Sequence, residues 1–328
     1  MINLSIFLIQ PNFRKKNYKI KFIFKFQFFL IILLIFIFLV IILISFSINI
    51  RVCICALGKN ENKYIREFVE YYKQYGIDKI FLYDNNDING EYFQQVVNDY
   101  IKNKYIDIIN FRGKKHIQVL SYRDCYKKNF MLFDWFIIID LDEFIYLKNY
   151  NNIKTYLRNK KFKTCQVIHL NFIYYTDNNL LHYDNRTLKE RFTLRAKYAR
   201  EPNIRNIRRT QIKSIIRGKI PNFYIYSIHI GTNRYDIYNI CNGDGEKYNG
   251  YLKSDFNNYY FIHYFSKSTQ EFINKIKRGD AIYGSKIFKN IKKYFFYNNI
   301  TLEKINMFEK ELKINLSKYR KKINRKIY

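Results

Sequence analysis

The stretch WFIIIDLDEF at residues 135–144 decides the fold class of this 328-residue chain. Its apolar run is typical of a strand buried on both faces, as in the centre of a mostly parallel sheet. The run ends in Asp140 and Asp142, which share a direction if the chain stays extended. Two such carboxylates form half of a site for a hard divalent cation. A solvated acidic turn is the competing interpretation.

Residue patterns divide the chain into an α/β first half and a mixed second half. Strand and helix patterns alternate before the Asp-x-Asp pair, which predicts a parallel, Rossmann-like sheet with right-handed crossovers. After the pair, strand patterns follow one another without helices between them, which predicts a mixed, antiparallel part. The predicted strands are 51–57, 79–83, 105–111, 135–139, 164–172, 190–195, 212–217, 224–230 and 259–264, and the predicted helices of the first half are 62–75, 91–102 and 116–130.

Residues 26–50 form an uncharged segment dominated by Ile, Leu and Phe. As a helix it would rise about 37 Å, enough to cross a hydrocarbon core of about 30 Å. It is too long for the apolar region of a cleaved signal peptide. Lys and Arg crowd the preceding residues 1–25, so the positive-inside rule predicts a short cytoplasmic tail, a transmembrane anchor and a single-pass type II orientation.

The formal net charge of +31 points first to an anionic partner such as nucleic acid. However, the basic residues are spread along the chain, and the excess of Lys, Ile, Asn, Tyr and Phe fits codons rich in A and T. The dense basic cluster at residues 200–219 is explained equally well by an acidic ligand. The transmembrane segment also argues against a nucleic-acid binder. We therefore expect no nucleic-acid partner.

The five cysteines match no zinc-binding spacing. Cys53 and Cys55 lie on one face of the first predicted strand, where we expect both to be buried, unpaired residues. A single disulfide among Cys125, Cys165 and Cys241 is left open by the sequence.

A series of short motifs accompanies the Asp-x-Asp pair in a fixed order. They are CALGKNE (55–61), EFVEYY (67–72), YDNN (83–86), YRDC (122–125), IDLDEF (139–144), ERF (190–192), KSIIR (213–217) and IHY (262–264). Together they resemble the nucleotide-sugar-dependent glycosyltransferases of the GT-A fold, most closely family 92 and related family 2-like enzymes, over residues 51–280. The resemblance implies a GT-A domain at 51–284 with a mostly parallel sheet and a mixed antiparallel C-terminal part, followed by a helical extension at 285–328.

The resemblance also implies an activity. We expect a hexosyl- or N-acetylhexosaminyltransferase, anchored in the membrane by its single helix and facing the Golgi lumen. It would move a sugar from a nucleoside-diphosphate sugar, with a UDP-sugar as the first choice, to a hydroxyl of a glycan or glycoconjugate. The cofactor implied is Mn²⁺ or Mg²⁺. A non-catalytic, membrane-tethered glycan-binding protein that keeps the same fold is the alternative.

Individual residues receive roles from the same resemblance. Asp140 and Asp142 are expected to bind the metal, with His263 as a third metal or phosphate ligand, while Glu143 is left unassigned. A carboxylate base is needed if the transfer inverts the sugar, and the candidates are Asp244 and Glu246. The expected donor-binding residues are Asn60, Glu61, Asp84, Asn85, Arg123, Asp124, Lys213 and Arg217.

Structural roles compete with several of these donor contacts. Glu61 stands where it can cap its own helix. Asp84 and Asn85 are also typical of an Asx turn. Arg123 and Asp124 are equally consistent with an ordinary surface ion pair.

Overall fold

The computed structural model describes residues 27–40, 50–196, 206–207, 212–229, 232, 234, 237–249, 252–253, 256–279 and 287–324. The chain divides into two compact units, Met1–Ile50 and Arg51–Tyr328. In the first unit, residues 27–40 form helix α1, along which the large apolar side chains are exposed. Within the described ranges, every helix is too short or too polar to cross a bilayer. Residues 1–26 and 41–49, and with them the predicted tail and much of the predicted anchor, lie outside the described residues.

The second unit is an α/β fold built on a nine-stranded mixed sheet. The described strands are β1 Val52–Gly58, β2 Lys79–Asp84, β3 Ile106–Asn110, β4 Trp135–Asp140, β5 Glu143–Leu147, β6 Val167–Tyr174, β7 Asn206–Ile207, β8 Ile212–Arg217, β9 Ile240–Cys241, β10 Leu252–Lys253 and β11 Tyr259–His263. The described helices are α2 Asn62–Gln74, α3 Gln94–Lys102, α4 Gln118–Asn129, α5 Ile153–Leu157, α6 Leu188–Arg191, α7 Thr269–Arg278, α8 Ile287–Tyr297, α9 Leu302–Leu312 and α10 Ser317–Asn324.

The order of strands in the sheet is β3-β2-β1-β4-β8-β6-β11-β5, with β9 beside β6, while β7 and β10 form a separate pair. The first four strands are parallel, as predicted. Strand β8 runs antiparallel to β4 and β6, and β5 runs antiparallel to β11. The carboxyl ends of β1, β2, β4, β6 and β11 therefore meet the amino ends of β5 and β8. We call this side of the sheet the carboxyl edge.

The apolar sequence pattern accounts for the parallel half. Every residue of β1 is buried, and in β4 only the last residue, Asp140, is partly exposed. Helix α2 buries one face through Ile65, Phe68 and Tyr72, at the spacing expected of an amphipathic helix. It is followed by Gly76, whose φ of 87° suits a residue without a Cβ atom. The predicted strand and helix order is thus confirmed up to β4.

Two of the strands predicted in the second half are wrong. Residues 190–195 contain the end of helix α6, because Thr187 and Glu190 form a capping box that starts a helix. Residues 224–229 form no strand beyond a single bridge position, and residue 230 lies outside the described residues. Conversely, β5 was not predicted, since it follows the Asp-x-Asp pair at once and pairs with β11, more than a hundred residues later.

Two disulfides cross-link the second unit. Cys165 pairs with Cys241, which settles the pairing that the sequence left open. Cys55 pairs with Cys125, so the expectation that Cys55 is an unpaired residue is wrong. This bridge joins β1 to α4, which pack against each other. Cys53 is buried and free, as expected.

Thiol counting tests this pairing. We expect one alkylated cysteine, Cys53, when the chain is produced under oxidising conditions, unfolded in denaturant and treated with iodoacetamide without reductant. Reduction before alkylation should raise the count to the full five. Intact-mass measurement gives both counts, and five adducts without reductant would contradict both bridges.

Candidate functional site

The Asp-x-Asp pair lies where the chain turns at the carboxyl edge. Strand β4 ends at Asp140, Leu141 and Asp142 form a turn, and β5 begins at Glu143. Because of this turn, the two aspartates have different partners, unlike in the extended chain assumed from the sequence. Residue Tyr264 fixes the turn by donating its backbone N–H to the carbonyl of Asp142, at 2.9 Å.

Asp140 belongs to a buried polar cluster. Its Oδ1 accepts hydrogen bonds from Gln118 Nε2 at 2.7 Å and from the Tyr122 hydroxyl at 2.9 Å. Its Oδ2 lies 2.8 Å from Lys213 Nζ, which also lies 3.0 Å from Glu143 Oε2. Burial opposes the charged form of Lys213, but the two carboxylates outweigh burial and hold the pKa of this lysine above its usual value. Lys213 is therefore the counter-charge of this cluster.

Asp142, Glu143 and His263 form a triad that we call the acidic triad. One potential ligand atom from each lies within 4.8 Å of the other two. His263 Nε2 lies 3.5 Å from Asp142 Oδ1, and His263 Nδ1 lies 3.5 Å from Glu143 Oε1. Within the described part of the chain, neither Glu143 Oε1 nor His263 Nδ1 has a hydrogen-bond partner, although both are buried.

These unsatisfied atoms fit a cation site. A buried polar atom without a partner costs about 1–3 kcal/mol, so two neighbouring ones are unusual in a region that only supports the fold. Carboxylate oxygens together with an imidazole nitrogen form a donor set suited to divalent transition metals such as Mn²⁺. Such an ion would fit between Asp142, Glu143 and His263, while Asp140 pairs with Lys213 and its contact with a metal stays a prediction.

Burial and the nearby charges together set the protonation states of the acidic triad. Burial raises the pKa of Glu143 to about 8, against the opposing effect of Lys213, and lowers the pKa of His263 to about 4. For Asp142, the effect of burial is outweighed by Lys275 and His263, which hold its pKa well below the usual range. At neutral pH the triad therefore offers one carboxylate and a neutral imidazole, the form in which histidine binds metals.

A cavity of about 310 Å³ lies beside Lys275, the ionic partner of Asp142, and its described lining includes none of the three triad residues. The start of α2 and one face of α7 line it, with four basic and three acidic side chains. Lys275 of α7 connects the two places, since it lines the cavity while its Nζ lies 2.9 Å from Asp142 Oδ2. The carboxylate of Glu61 lies between Lys267 and Arg278, with both distances at 2.8 Å.

The predicted donor-binding residues of the first two loops lie at the carboxyl edge. Asn60 and Glu61 line the cavity. Asp84 and Asn85 are buried, and Asp84 forms an Asx turn with Asn86 and an ion pair with Arg112 at 2.8 Å. The Asx turn that competed with a donor contact is thus present, and a contact with the donor stays a prediction.

Arg217 is not brought to the site. It stands at the far end of β8, opposite Trp135 at the start of β4, and donates to the carbonyl of Cys165 at 2.7 Å. Lys213, four residues earlier on the same strand, reaches Asp140. Four residues of strand separate Lys213 from Arg217 by about 13 Å. Because β8 runs antiparallel to β4, Lys213 is the one that stands at the carboxyl edge.

Helix α4 carries Arg123 and Asp124, two residues predicted to bind the sugar donor, and both have partners within the protein. Arg123 donates to the carbonyl of Ile225 at 2.8 Å, and Asp124 accepts from the Tyr83 hydroxyl at 2.7 Å. Neither contacts the acidic triad through any interaction seen among the described residues. Asp124 also forms an ion pair with Lys128 at 3.0 Å. The alternative of a surface ion pair is therefore present at Asp124, but with Lys128 and not with Arg123.

Asp244 and Glu246, the predicted bases, follow β9, which pairs with the first residues of β6. His263 pairs with Tyr174 at the other end of β6. Seven residues of strand span about 23 Å, so these carboxylates lie at the opposite edge from the acidic triad. The structure therefore does not bring them together with it.

Four residues of the site received no functional role from the sequence. Glu143 stands inside the opening motif, but only the turn at 141–142 shows that its side chain meets His263. Gln118 and Tyr122 have the i, i+4 spacing of one helix face, a signal that needed a known partner to interpret. Lys275 lies beyond the last motif, and no sequence signal marks it.

Comparison with known proteins identifies the family. The model of glycosyltransferase family 92 matches residues 48–316, which is most of the chain. The chain belongs to glycosyltransferase family 92. This confirms the predicted enzyme class, and the prediction of an α/β fold is also confirmed.

Two solved structures are similar to this family 92 chain. They are the mannosyltransferase PcManGT from Pyrobaculum calidifontis in complex with GDP-Man and Mn²⁺ (10% identity, TM-score 0.36, covering 76% of this chain and 70% of that one), and TarS from S. aureus in complex with UDP (10% identity, TM-score 0.36, covering 80% of this chain and 70% of that one). No curated protein sequence matches the chain.

A buried ion pair at the wall of the cavity provides a stability test. Glu271 of α7 accepts from Arg191 Nη1 at 2.7 Å, and both side chains are buried. Glu271→Ala leaves Arg191 with only the more distant carboxylate of Asp184, at 3.9 Å, and also removes the capping box that Glu271 forms with Ser268, so we expect the free energy of unfolding to fall by about 3–5 kcal/mol. Urea unfolding followed by circular dichroism measures this change.

Glu311→Ala is the matched control, because Glu311 of α9 pairs with Lys277 of α7 at 2.7 Å, but on the surface. We expect a loss of at most about 1 kcal/mol for this variant. Equal effects of the two variants would contradict the structural role of the Arg191–Glu271 pair.

Proposed function

We propose that this glycosyltransferase depends on a divalent metal ion and takes its sugar from a nucleoside-diphosphate sugar. The observation that carries the proposal is the acidic triad, in which Glu143 Oε1 and His263 Nδ1 are buried beside Asp142 without hydrogen-bond partners among the described residues. The nearby cavity, where four basic side chains outnumber three acidic ones, supports a phosphate-bearing ligand at the same edge.

Asp142, Glu143 and His263 would hold Mn²⁺ or Mg²⁺. Such an ion, when bound, acts as a Lewis acid toward the negative charge of a diphosphate leaving group. Lys213 keeps the neighbouring carboxylates of Asp140 and Glu143 in place, because its Nζ lies within 3.0 Å of both. The protein's own part is thus to pre-organise the ligand atoms before the donor arrives.

The acceptor in this proposal is a hydroxyl of a glycan or glycoconjugate, and the enzyme is a hexosyl- or N-acetylhexosaminyltransferase. A UDP-sugar is the first donor to test. The family membership supports sugar transfer in general, while the choice of sugar and acceptor depends on pocket shape.

We further propose a type II membrane protein whose second unit lies in the Golgi lumen. Two features support this location. The bridges Cys55–Cys125 and Cys165–Cys241 are of a kind that persists in oxidising compartments. Residues 26–50 carry no charge and follow a basic segment.

A donor screen tests the metal dependence. The full-length chain in detergent is incubated with each UDP- and GDP-sugar, with and without Mn²⁺, and release of the nucleoside diphosphate is measured. We expect release from one donor only in the presence of Mn²⁺. Asp142→Asn should lower kcat/KM for that donor by at least about 100-fold, because it removes a charged ligand from the triad.

Asp107→Asn serves as the control, since Asp107 is an exposed residue of β3 that pairs with Lys79 on the surface. Its activity should stay within about twofold of the parent, as expected for a surface ion pair. Equal release with and without Mn²⁺, or full activity of Asp142→Asn, would contradict the proposal.

A further inference from the structure

Lys275 is distinguished from the other basic residues of the cavity by its partner. Its Nζ lies 2.9 Å from Asp142 Oδ2 and 3.4 Å from the carbonyl of Phe265. Its side chain is 28% exposed. Lys267 and Arg278 are both held by Glu61, at 2.8 Å each. Among the described residues that line the cavity, Lys275 is therefore the cation whose ionic partner belongs to the acidic triad.

We propose that Lys275 binds the diphosphate of the donor, and that it is released for this role when a divalent cation takes its place on Asp142. This inference rests on the proposed function, since it needs a metal in the acidic triad. It adds a residue of α7 that no motif singled out.

Electrostatics supports the exchange. A metal ligated by Asp142 and the ammonium group of Lys275 would be two cations at one carboxylate, and their mutual repulsion disfavours binding both closely. Lysine carries its charge on a flexible four-carbon stem, so it can leave the carboxylate at little conformational cost. With the metal bound, the nearest place for this charge is the cavity that Lys275 already lines.

The geometry of α7 supports the destination. Lys275 and Arg278 are three residues apart and therefore share one face of the helix, and both line the cavity. Glu61 and the backbone carbonyl of Lys59 hold Arg278. A metal-bound diphosphate at the triad would lie beside Lys275, and phosphate oxygens accept hydrogen bonds from an ammonium group.

Two binding measurements on the full-length chain in detergent test the inference. Isothermal titration calorimetry with Mn²⁺ alone should show that Lys275→Met binds the ion at least about fivefold more tightly than the parent, because the competing cation is gone. Titration with UDP and with GDP in saturating Mn²⁺ should show the opposite effect. There, Lys275→Met should bind the preferred nucleotide about 10- to 100-fold more weakly, since a charged hydrogen bond is lost.

Lys277→Met is the matched control, because Lys277 lies on the same helix and pairs with Glu311 on the surface. It should leave both affinities unchanged. Lys275→Arg, which keeps the charge, should retain most of the nucleotide affinity.

The signs of the two effects separate the outcomes. Weaker binding of both Mn²⁺ and nucleotide by Lys275→Met is the sign of a structural role and overturns the inference. Unchanged nucleotide affinity also overturns it, while a parent that still binds nucleotide with Mn²⁺ leaves the proposed function standing. A parent that binds neither UDP nor GDP contradicts the proposed function and this inference together.

Discussion

The burial of Glu143 beside two aspartates is the constraint on which the rest of the site depends. Three acidic side chains within four residues repel one another at the end of a buried strand, where water cannot screen them. Lys213 offsets part of this charge from within the sheet, with its Nζ 2.8 Å from Asp140 and 3.0 Å from Glu143. On the other side, Lys275 stands at Asp142 and His263 remains neutral. Both aspartates are thus paired with lysines and burial favours the protonated form of Glu143, so a divalent cation would engage Glu143 Oε1 and His263 Nδ1, which have no hydrogen-bond partner among the described residues.

The mixed direction of the sheet assembles these groups. A purely parallel sheet would place only the carboxyl ends of its strands at the site. Here β8 runs antiparallel, so that Lys213, near the amino end of β8, reaches the site. Strand β5 reverses the chain and places Glu143 opposite His263 in the β5–β11 pairing. Helix α7 follows β11 closely and carries Lys275 back toward Asp142. The second half of the domain thus supplies the histidine and both lysines that meet the acidic residues of the first.

The sequence predicts the parts that depend on local pattern. The stretch 135–144 and the alternating helices before it were enough for the parallel half, and Asp142 and His263, which were predicted to share a site, lie 3.5 Å apart. The turn at 141–142 could not be predicted, because its formation depends on the pairing of β5 with β11. The same holds for Arg217, since the direction of β8 decides that Lys213, and not Arg217, stands at the carboxyl edge. Disulfide pairing between Cys55 and Cys125 depends on the packing of α4 against β1, and the strand predicted at 190–195 missed the capping box at Thr187.

The position of the metal tests the central claim most directly. Crystals of the chain grown with Mn²⁺ and a nucleoside diphosphate can be measured at a wavelength where manganese scatters anomalously. We predict one strong anomalous peak within about 2.0–2.4 Å of ligand atoms from Asp142, Glu143 and His263, distances typical of such ions. A peak held by Asp140 without Glu143, or no peak at the carboxyl edge while the nucleotide is bound, would contradict the account.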